Sequence, residues 1–291
     1  MSERNAGNAG AELAGCRCVV TGASGGIGEA VARTLVERGA QSVVLVARAG
    51  EKLETARTRL SARYPSRTVT AMACELSLRA EVRELAAALA ATRVDVLVLN
   101  AAMMPAERVL TNEGIELTLA TNHLAPYLLG RLLLTHLPRG GRIVVVGADP
   151  GMLAREPVDL DDLAYERGFS PARAYMRTKN MNAMFAYALA RRAAPLGITV
   201  NAAHPGIIRT SLGRRTTGLL GFALAVAKPL LPSAERGADT PAWLAWSPDV
   251  AERTGLFFVS RRERVTAPHT RDPARQETLW QRSAALVDLE P

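Results

Sequence analysis

Lysine is nearly absent. Of 36 basic residues only Lys52, Lys179 and Lys228 are lysine, and the other basic residues are arginine. Aromatics make up 4% of the chain, and the net charge of +8 is spread along it, densest at Arg261, Arg262 and Arg264. Without basic runs interleaved with aromatics there is no nucleic-acid platform, and the modest positive balance suits anionic small ligands instead. Cysteine is scarce as well: Cys16, Cys18 and Cys74 are odd in number and lack ligand spacing. That excludes a disulfide framework and points to reduced core thiols in a cytoplasmic protein. The four histidines, His123, His136, His204 and His269, show no metal-ligand pattern, so no metal is expected. The longest apolar run, 219–231, is interrupted by Lys228 and Pro229 and is too short to span a bilayer. The polar, small-residue start reads as a flexible tail over 1–13. With 48% hydrophobic and 22% charged residues, 14–291 has the composition of one α/β domain with a full core.

The stretch that organises the chain is Val19-Val20-Thr21-Gly22-Ala23-Ser24-Gly25-Gly26-Ile27-Gly28. The run Cys18–Val20 reads as a buried strand broken by Gly22. From Glu29 to Arg38, apolar and small residues recur at helical spacing up to Gly39. A strand, glycine-rich turn and helix in that order let backbone N–H groups approach a pyrophosphate, with glycines at the tight turn, the close approach and the helix–strand contact. Gly22, Gly26 and Gly28 fill those places, Gly25 lies between them, and the spacing is G-x-x-x-G-x-G.

Downstream, 42–47, 68–74, 94–99, 142–146 and 198–202 read as strands, with a further one near 256–259. Helices are expected over 51–63, 78–91, 114–137 (interrupted at Pro126), 171–194, 234–247 and 275–286. Repeated strand–helix units impose right-handed crossovers, giving a single Rossmann-type doubly wound parallel sheet of about seven strands with helices on both faces. Ligands in such sheets bind beyond the carboxyl ends of the strands, where Gly22, Arg48, Glu75 and Asn100 fall. An arginine at 48, with Ser24 in the turn and no carboxylate at the strand end, suits a ribose 2′-phosphate and favours NADP(H) over NAD. The plainer alternative for Arg48 is a solvated surface arginine. Tyr175 and Lys179 lie one helical turn apart on one face.

In order and spacing, Thr21-Gly22-x-x-x-Gly26-x-Gly28, Leu99-Asn100-Ala101, Asn122-His123-Leu124, Tyr175-x-x-x-Lys179 and His204-Pro205-Gly206 resemble the short-chain dehydrogenase/reductases, and specifically a branch similar to the retinol dehydrogenases. The resemblance runs from about Gly15 to Leu286 and takes in Ser233–Ala238 and Thr254–Phe258. It implies hydride transfer between NADP(H) and a carbonyl or alcohol. Tyr175 would pass the proton, Lys179 would favour the phenolate and hold the ribose, and Asn122 would support a water leading to the lysine. The cofactor residues it implies are Gly22, Ser24, Gly25, Gly26, Ile27, Gly28, Arg48, Glu75, Leu76, Asn100, Ala101, Tyr175, Lys179, Pro205, Gly206, Ile208 and Thr210. An unperturbed tyrosine titrates near ~10, so a nearby cation is the natural means of lowering it.

The main departure lies past the fifth strand, where the chain reads Val146-Gly147-Ala148-Asp149-Pro150-Gly151. Ala148 stands at the place of the family's catalytic serine, and losing one such donor costs about 10²–10³ in rate. Three readings follow: a carbonyl reductase that makes do with Tyr175 or recruits Asp149 or a water, a reductase of an activated C=C or imine, or an NADP-binding sensor, scaffold or non-redox cyclase. The joint survival of Tyr175, Lys179 and Asn122 ranks oxidoreductase first. The apolar stretch after the nicotinamide motif corresponds to a substrate lid near 211–232. With Ala148, Asp149, Met176, Leu219 and Phe222 as expected substrate contacts, it suits a lipophilic small molecule of secondary metabolism. The helices bearing Asn122 and Tyr175, with the run 181–190, are the expected surfaces of a homodimer or homotetramer.

Overall fold

The computed structural model describes residues 12–206 and 233–291. Ile208, Thr210, Leu219, Phe222 and the expected lid over 211–232 lie outside the described residues, as does most of the expected tail. Eight strands form one sheet in the order β3-β2-β1-β4-β5-β6-β7-β8. They are β1 (Arg17–Thr21), β2 (Ser42–Ala47), β3 (Thr68–Ala73), β4 (Val96–Leu99), β5 (Arg142–Val146), β6 (Thr199–His204), β7 (Phe257–Val259) and β8 (Arg262–Glu263). All neighbours are parallel except β7 and β8. The extra strand is the two-residue antiparallel β8, too short and too charged to carry a strand signal. The central strands are near-continuous apolar runs because both of their faces are covered.

On one face, α1 (Gly26–Glu37), α2 (Glu51–Arg63) and α7 (Ala234–Trp246) pack on Val20, Val43, Leu45 and Val144. On the other, α3 (Arg79–Ala90), a helix over 117–133 (α4) and α6 (Pro171–Ala193) pack on Val19, Leu97, Val145 and Val200. The short α5 (Pro150–Leu153) and α8 (Pro268–Arg271) line that second face, and α9 (Pro273–Leu286) packs against α6. The strand order turns back between β1 and β4, which makes the carboxyl edge there the crevice of the sheet.

Helix α4 starts later than its periodicity suggests, because the buried Glu116 carboxylate caps it by accepting from the N–H groups of Thr118 and Leu119. The expected interruption at Pro126 takes the form of a π turn, Ala120–Leu124, between two α-helical pieces. Proline has no N–H and its ring crowds the carbonyl four residues back, so the helix widens there. That carbonyl belongs to Asn122, and it accepts from Asn182 Nδ2 at 2.8 Å instead.

The run 181–190 is not a pairing surface. Met181, Ala183, Met184, Phe185, Ala186, Ala188, Leu189 and Ala190 are all buried within the chain, between the sheet and the helices α4 and α9. Trp280 of α9 stacks on Phe185 and is flanked by the guanidinium groups of Arg131 and Arg192. An apolar stretch on a helix with two packed sides has the same sequence signature as one awaiting a partner chain.

His123, on the π turn, is fully buried between Asn182 Oδ1 (3.2 Å) and Ser283 Oγ (2.8 Å), tying α4 to α6 and α9. Burial lowers its pKa to about 4. The folded state therefore favours the neutral ring, and stability is complete above the unfolded value of about 6.5 and falls as pH drops from there toward 4, by roughly 3 kcal/mol in all. Urea midpoints of wild type and His123→Gln measured between pH 7 and pH 4 should diverge, with the wild type losing more. Parallel pH dependences would exclude this origin.

Candidate active site

Gly22 follows β1 at φ +70°, a left-handed conformation that favours glycine. A Cβ there would sit 2.9 Å from Ala101 Cα. At Gly28 a Cβ would lie 2.3 Å from the Gly22 carbonyl oxygen and 2.6 Å from Asn100 Nδ2. These two glycines are thus required by the protein's own packing. Asn100 braces the turn: its Nδ2 donates to Thr21 O (2.9 Å), and its N–H and that of Ala101 both donate to Thr21 Oγ1. Thr21 was not among the expected site residues, yet it joins β1 to β4 at the crevice. Asn100 and Ala101 therefore shape the turn.

Gly25 and Gly26 differ from Gly22 and Gly28, because added Cβ atoms there would meet nothing within 4 Å. Gly25 is the N-cap of α1 and no side chain caps that helix end. The helix end is thus left without a side-chain cap beneath open space at Gly25 and Gly26, the arrangement that accepts a phosphate. Ser24 and Ile27 are half-buried beside it, and the helix starts at Gly26, earlier than expected. At the end of β2, Arg48 is exposed and pairs with no carboxylate among the described residues. It stands before the uncapped N-terminus of α2, in whose first turn lies Lys52. Glu75 and Leu76 follow β3, where the Glu75 carboxylate is held by Ser77 N–H and Oγ–H and Leu76 is buried. Pro205 and Gly206 follow β6 at the end of the first described segment.

Lys179 on α6 is fully buried, and its Nζ donates to Val146 O at the end of β5, 3.0 Å away. An ammonium has three donors and this one finds a single acceptor among the described residues, so it fits ribose hydroxyls arriving at the crevice. Burial lowers its pKa to about 8, which leaves it mostly cationic at neutral pH. Its Nζ lies 5.5 Å from the centre of the Tyr175 ring. Desolvation pushes the Tyr175 phenol up to about 12, so it holds its proton at neutral pH. Asn122 on the π turn makes three side-chain hydrogen bonds. Its Oδ1 accepts from Met103 N (2.7 Å), and its Nδ2 donates to Met103 O (2.8 Å) and Thr178 Oγ1 (3.2 Å). The side chain thus pins the loop after β4 to the turn of α6 between Tyr175 and Lys179. Ala148 is buried, Asp149 caps α5 through Gly151 N and Met152 N, and Met176 is half-buried beside Tyr175.

This arrangement has counterparts. The short chain dehydrogenase family profile matches residues 17–158. A Streptomyces sp. (strain C5) protein named as a daunorubicin C-13 ketoreductase is 38% identical over 94% of this chain and 93% of its own. The chain belongs to the short-chain dehydrogenase/reductase family. Human retinol dehydrogenase 13 is 33% identical over 96% of this chain and 87% of its own, which places this dehydrogenase/reductase in the retinol-dehydrogenase-like branch. Among solved structures, a metagenomic blue fluorescent protein in complex with NADPH matches 86% of this chain and 97% of its own, with a TM-score of 0.67 and 26% identity. Short-chain dehydrogenase/reductases are NAD(P)-dependent oxidoreductases, and the free cradle at Gly25 and Gly26 fits that cofactor class. No helix among the described residues is long and apolar enough to cross a membrane, and no cluster there is suited to a metal.

Proposed function

We propose that this protein is an NADPH-dependent reductase of a lipophilic ketone. The observation that carries the reading is Lys179, a buried cation with one acceptor, set a helical turn from a protonated Tyr175 at the carboxyl edge of the sheet. The cofactor held there would supply a hydride. Tyr175 then gives its phenolic proton to the oxygen as the C–H bond forms, and Lys179 stabilises the phenolate left behind. Gly22, Gly25, Gly26, Ile27 and Gly28 would hold the pyrophosphate, with Ser24, Asn100, Ala101, Glu75 and Leu76 around the nucleotide and Pro205 and Gly206 toward the nicotinamide, a role that the family pattern also assigns to Ile208 and Thr210.

The lipophilic substrate is supported by the methionines on the elements that meet at this edge of the sheet. Met103 and Met104 follow β4, where Asn122 ties the loop to α6, and Met152 and Met176 rise from α5 and α6. Polarisable thioethers suit flat or irregular apolar molecules. Ketoreduction of a polycyclic secondary metabolite, as the name of the Streptomyces relative indicates for that protein, fits this wall and a cytoplasmic setting. Ala148 favours one other reading, reduction of a C=C or C=N bond or a non-redox role, in which no oxyanion needs a donor at 148. A homodimer or homotetramer would have to pair through surfaces other than the buried run 181–190.

Cofactor choice is tested at Arg48. Wild type should bind NADPH more tightly than NADH by calorimetric titration, because the exposed guanidinium and the uncapped end of α2 meet a 2′-phosphate. Arg48→Asp should weaken NADPH by about tenfold or more and narrow the gap to NADH. Equal affinities in the wild type would rule the 2′-phosphate site out.

A further inference from the structure

The wall where a serine hydroxyl is missing carries another polar side chain. Position 147 has no room for one, since a Cβ at Gly147 would lie 2.9 Å from Cε2 of Phe257. Across the ladder, Val146 pairs with Ala203 and the Gly147 N–H donates to Ala203 O at 2.8 Å. The next residue of β6, beside Gly147 and Ala148, is His204. Val200 and Ala202 of β6 point into the core layer shared with α6, and the two-residue period of a strand puts His204 on that same face. It is the face from which Lys179 reaches Val146 O. His204 thus belongs to the same wall as the Tyr175–Lys179 pair.

His204 is 9% exposed, and its buried Nδ1 has no hydrogen-bond partner among the described residues. A proton on Nδ1 would be a stranded buried donor, which folded proteins rarely tolerate, so the neutral ring carries its proton on Nε2. Desolvation holds the ring below its ordinary pKa, with the Asp149 carboxylate pulling the other way. A neutral imidazole is an N–H donor that polarises a carbonyl without competing for the proton Tyr175 delivers.

We propose that the Nε2–H of His204 donates to the oxygen of the reacting carbonyl the hydrogen bond that no hydroxyl at 147 or 148 supplies. The proposal rests on the ketone-reducing reading above. In the step it assists, the hydride forms the C–H bond and the C=O π pair moves onto oxygen. The oxygen takes the Tyr175 proton, and His204 keeps its own.

Two measurements test it. In ¹⁵N NMR of histidine-labelled protein at pH 7, the signal missing from His204→Ala should be that of a neutral Nε2–H ring. An Nδ1–H ring or an imidazolium would overturn the proposal without reference to any substrate. With NADPH and 2-acetylnaphthalene or 9,10-phenanthrenequinone as probes, His204→Ala should lower kcat by about 10²–10³-fold, with KM and NADPH affinity little changed. Adding Ala148→Ser to that variant should restore at least about tenfold, because a hydroxyl then takes over the same hydrogen bond. A purely structural histidine would not be rescued in this way, so an unchanged kcat or an absence of rescue contradicts the proposal. Should His204→Ala melt early, His204→Gln keeps an N–H donor and is held to the same standard, with activity well above the alanine variant. A wild type that reduces neither probe would remove the ketone-reducing reading, and this proposal with it, whatever the tautomer.

Discussion

Replacing Tyr175 by phenylalanine should lower NADPH-dependent ketone reduction by about 10²–10⁴-fold while leaving NADPH affinity nearly unchanged. The substitution removes one oxygen from a half-buried side chain. The Tyr175 hydroxyl makes no hydrogen bond to the protein among the described residues, so its loss leaves no orphaned partner behind. Stability should therefore hold and turnover fall, which separates a chemical role from a packing role. The desolvation that keeps the phenol protonated suits it to give a proton rather than to take one. Full activity in Tyr175→Phe would remove the proton-transfer role and leave Lys179 as a cofactor anchor only.

The second large effect is expected in the glycine turn. Gly28→Ala places a methyl 2.3 Å from the Gly22 carbonyl oxygen, a backbone atom that cannot swing aside. It also sits 2.6 Å from the Asn100 amide that binds β1 to β4. Relieving both contacts means opening the turn, at a cost of about 2–4 kcal/mol in stability and at least about a hundredfold in NADPH affinity. Gly25→Ala is the informative contrast. Its added methyl meets no protein atom within 4 Å, and the backbone there is extended. The melting temperature should hold while NADPH binding weakens, because the proposed pyrophosphate would meet that methyl. If Gly25→Ala binds NADPH as well as wild type, the pyrophosphate does not lie over that residue.

Much of this was legible in the sequence wherever a local pattern carries the physics. Apolar strand runs gave the parallel sheet, and the crevice followed from the residues just past each strand. A four-residue spacing put Tyr175 and Lys179 on one helical face. Long-range packing carried the rest. That Phe257 fills the space over Gly147 depends on β7 lying beside β6, which no local pattern encodes. That Asn122 would bond both Met103 and Thr178 depends on the loop after β4 meeting α6, which its own motif does not encode. The Thr21 hydroxyl carried no signal of its own because a buried threonine in a strand is ordinary. Met181 and Met184 resembled an interface because sequence cannot distinguish a neighbouring helix of the same chain from one of another.

The most direct test of NADPH-dependent carbonyl reduction is to follow the hydride. NADPH carrying deuterium stereospecifically at C4, each epimer in turn, is incubated with the enzyme and 2-acetylnaphthalene, and the alcohol is analysed by mass spectrometry and NMR. One epimer should place deuterium on the carbinol carbon and the other should not, with both transfers lost in Tyr175→Phe. Alcohol formed without deuterium from either epimer, or no NADPH consumption, would contradict the account.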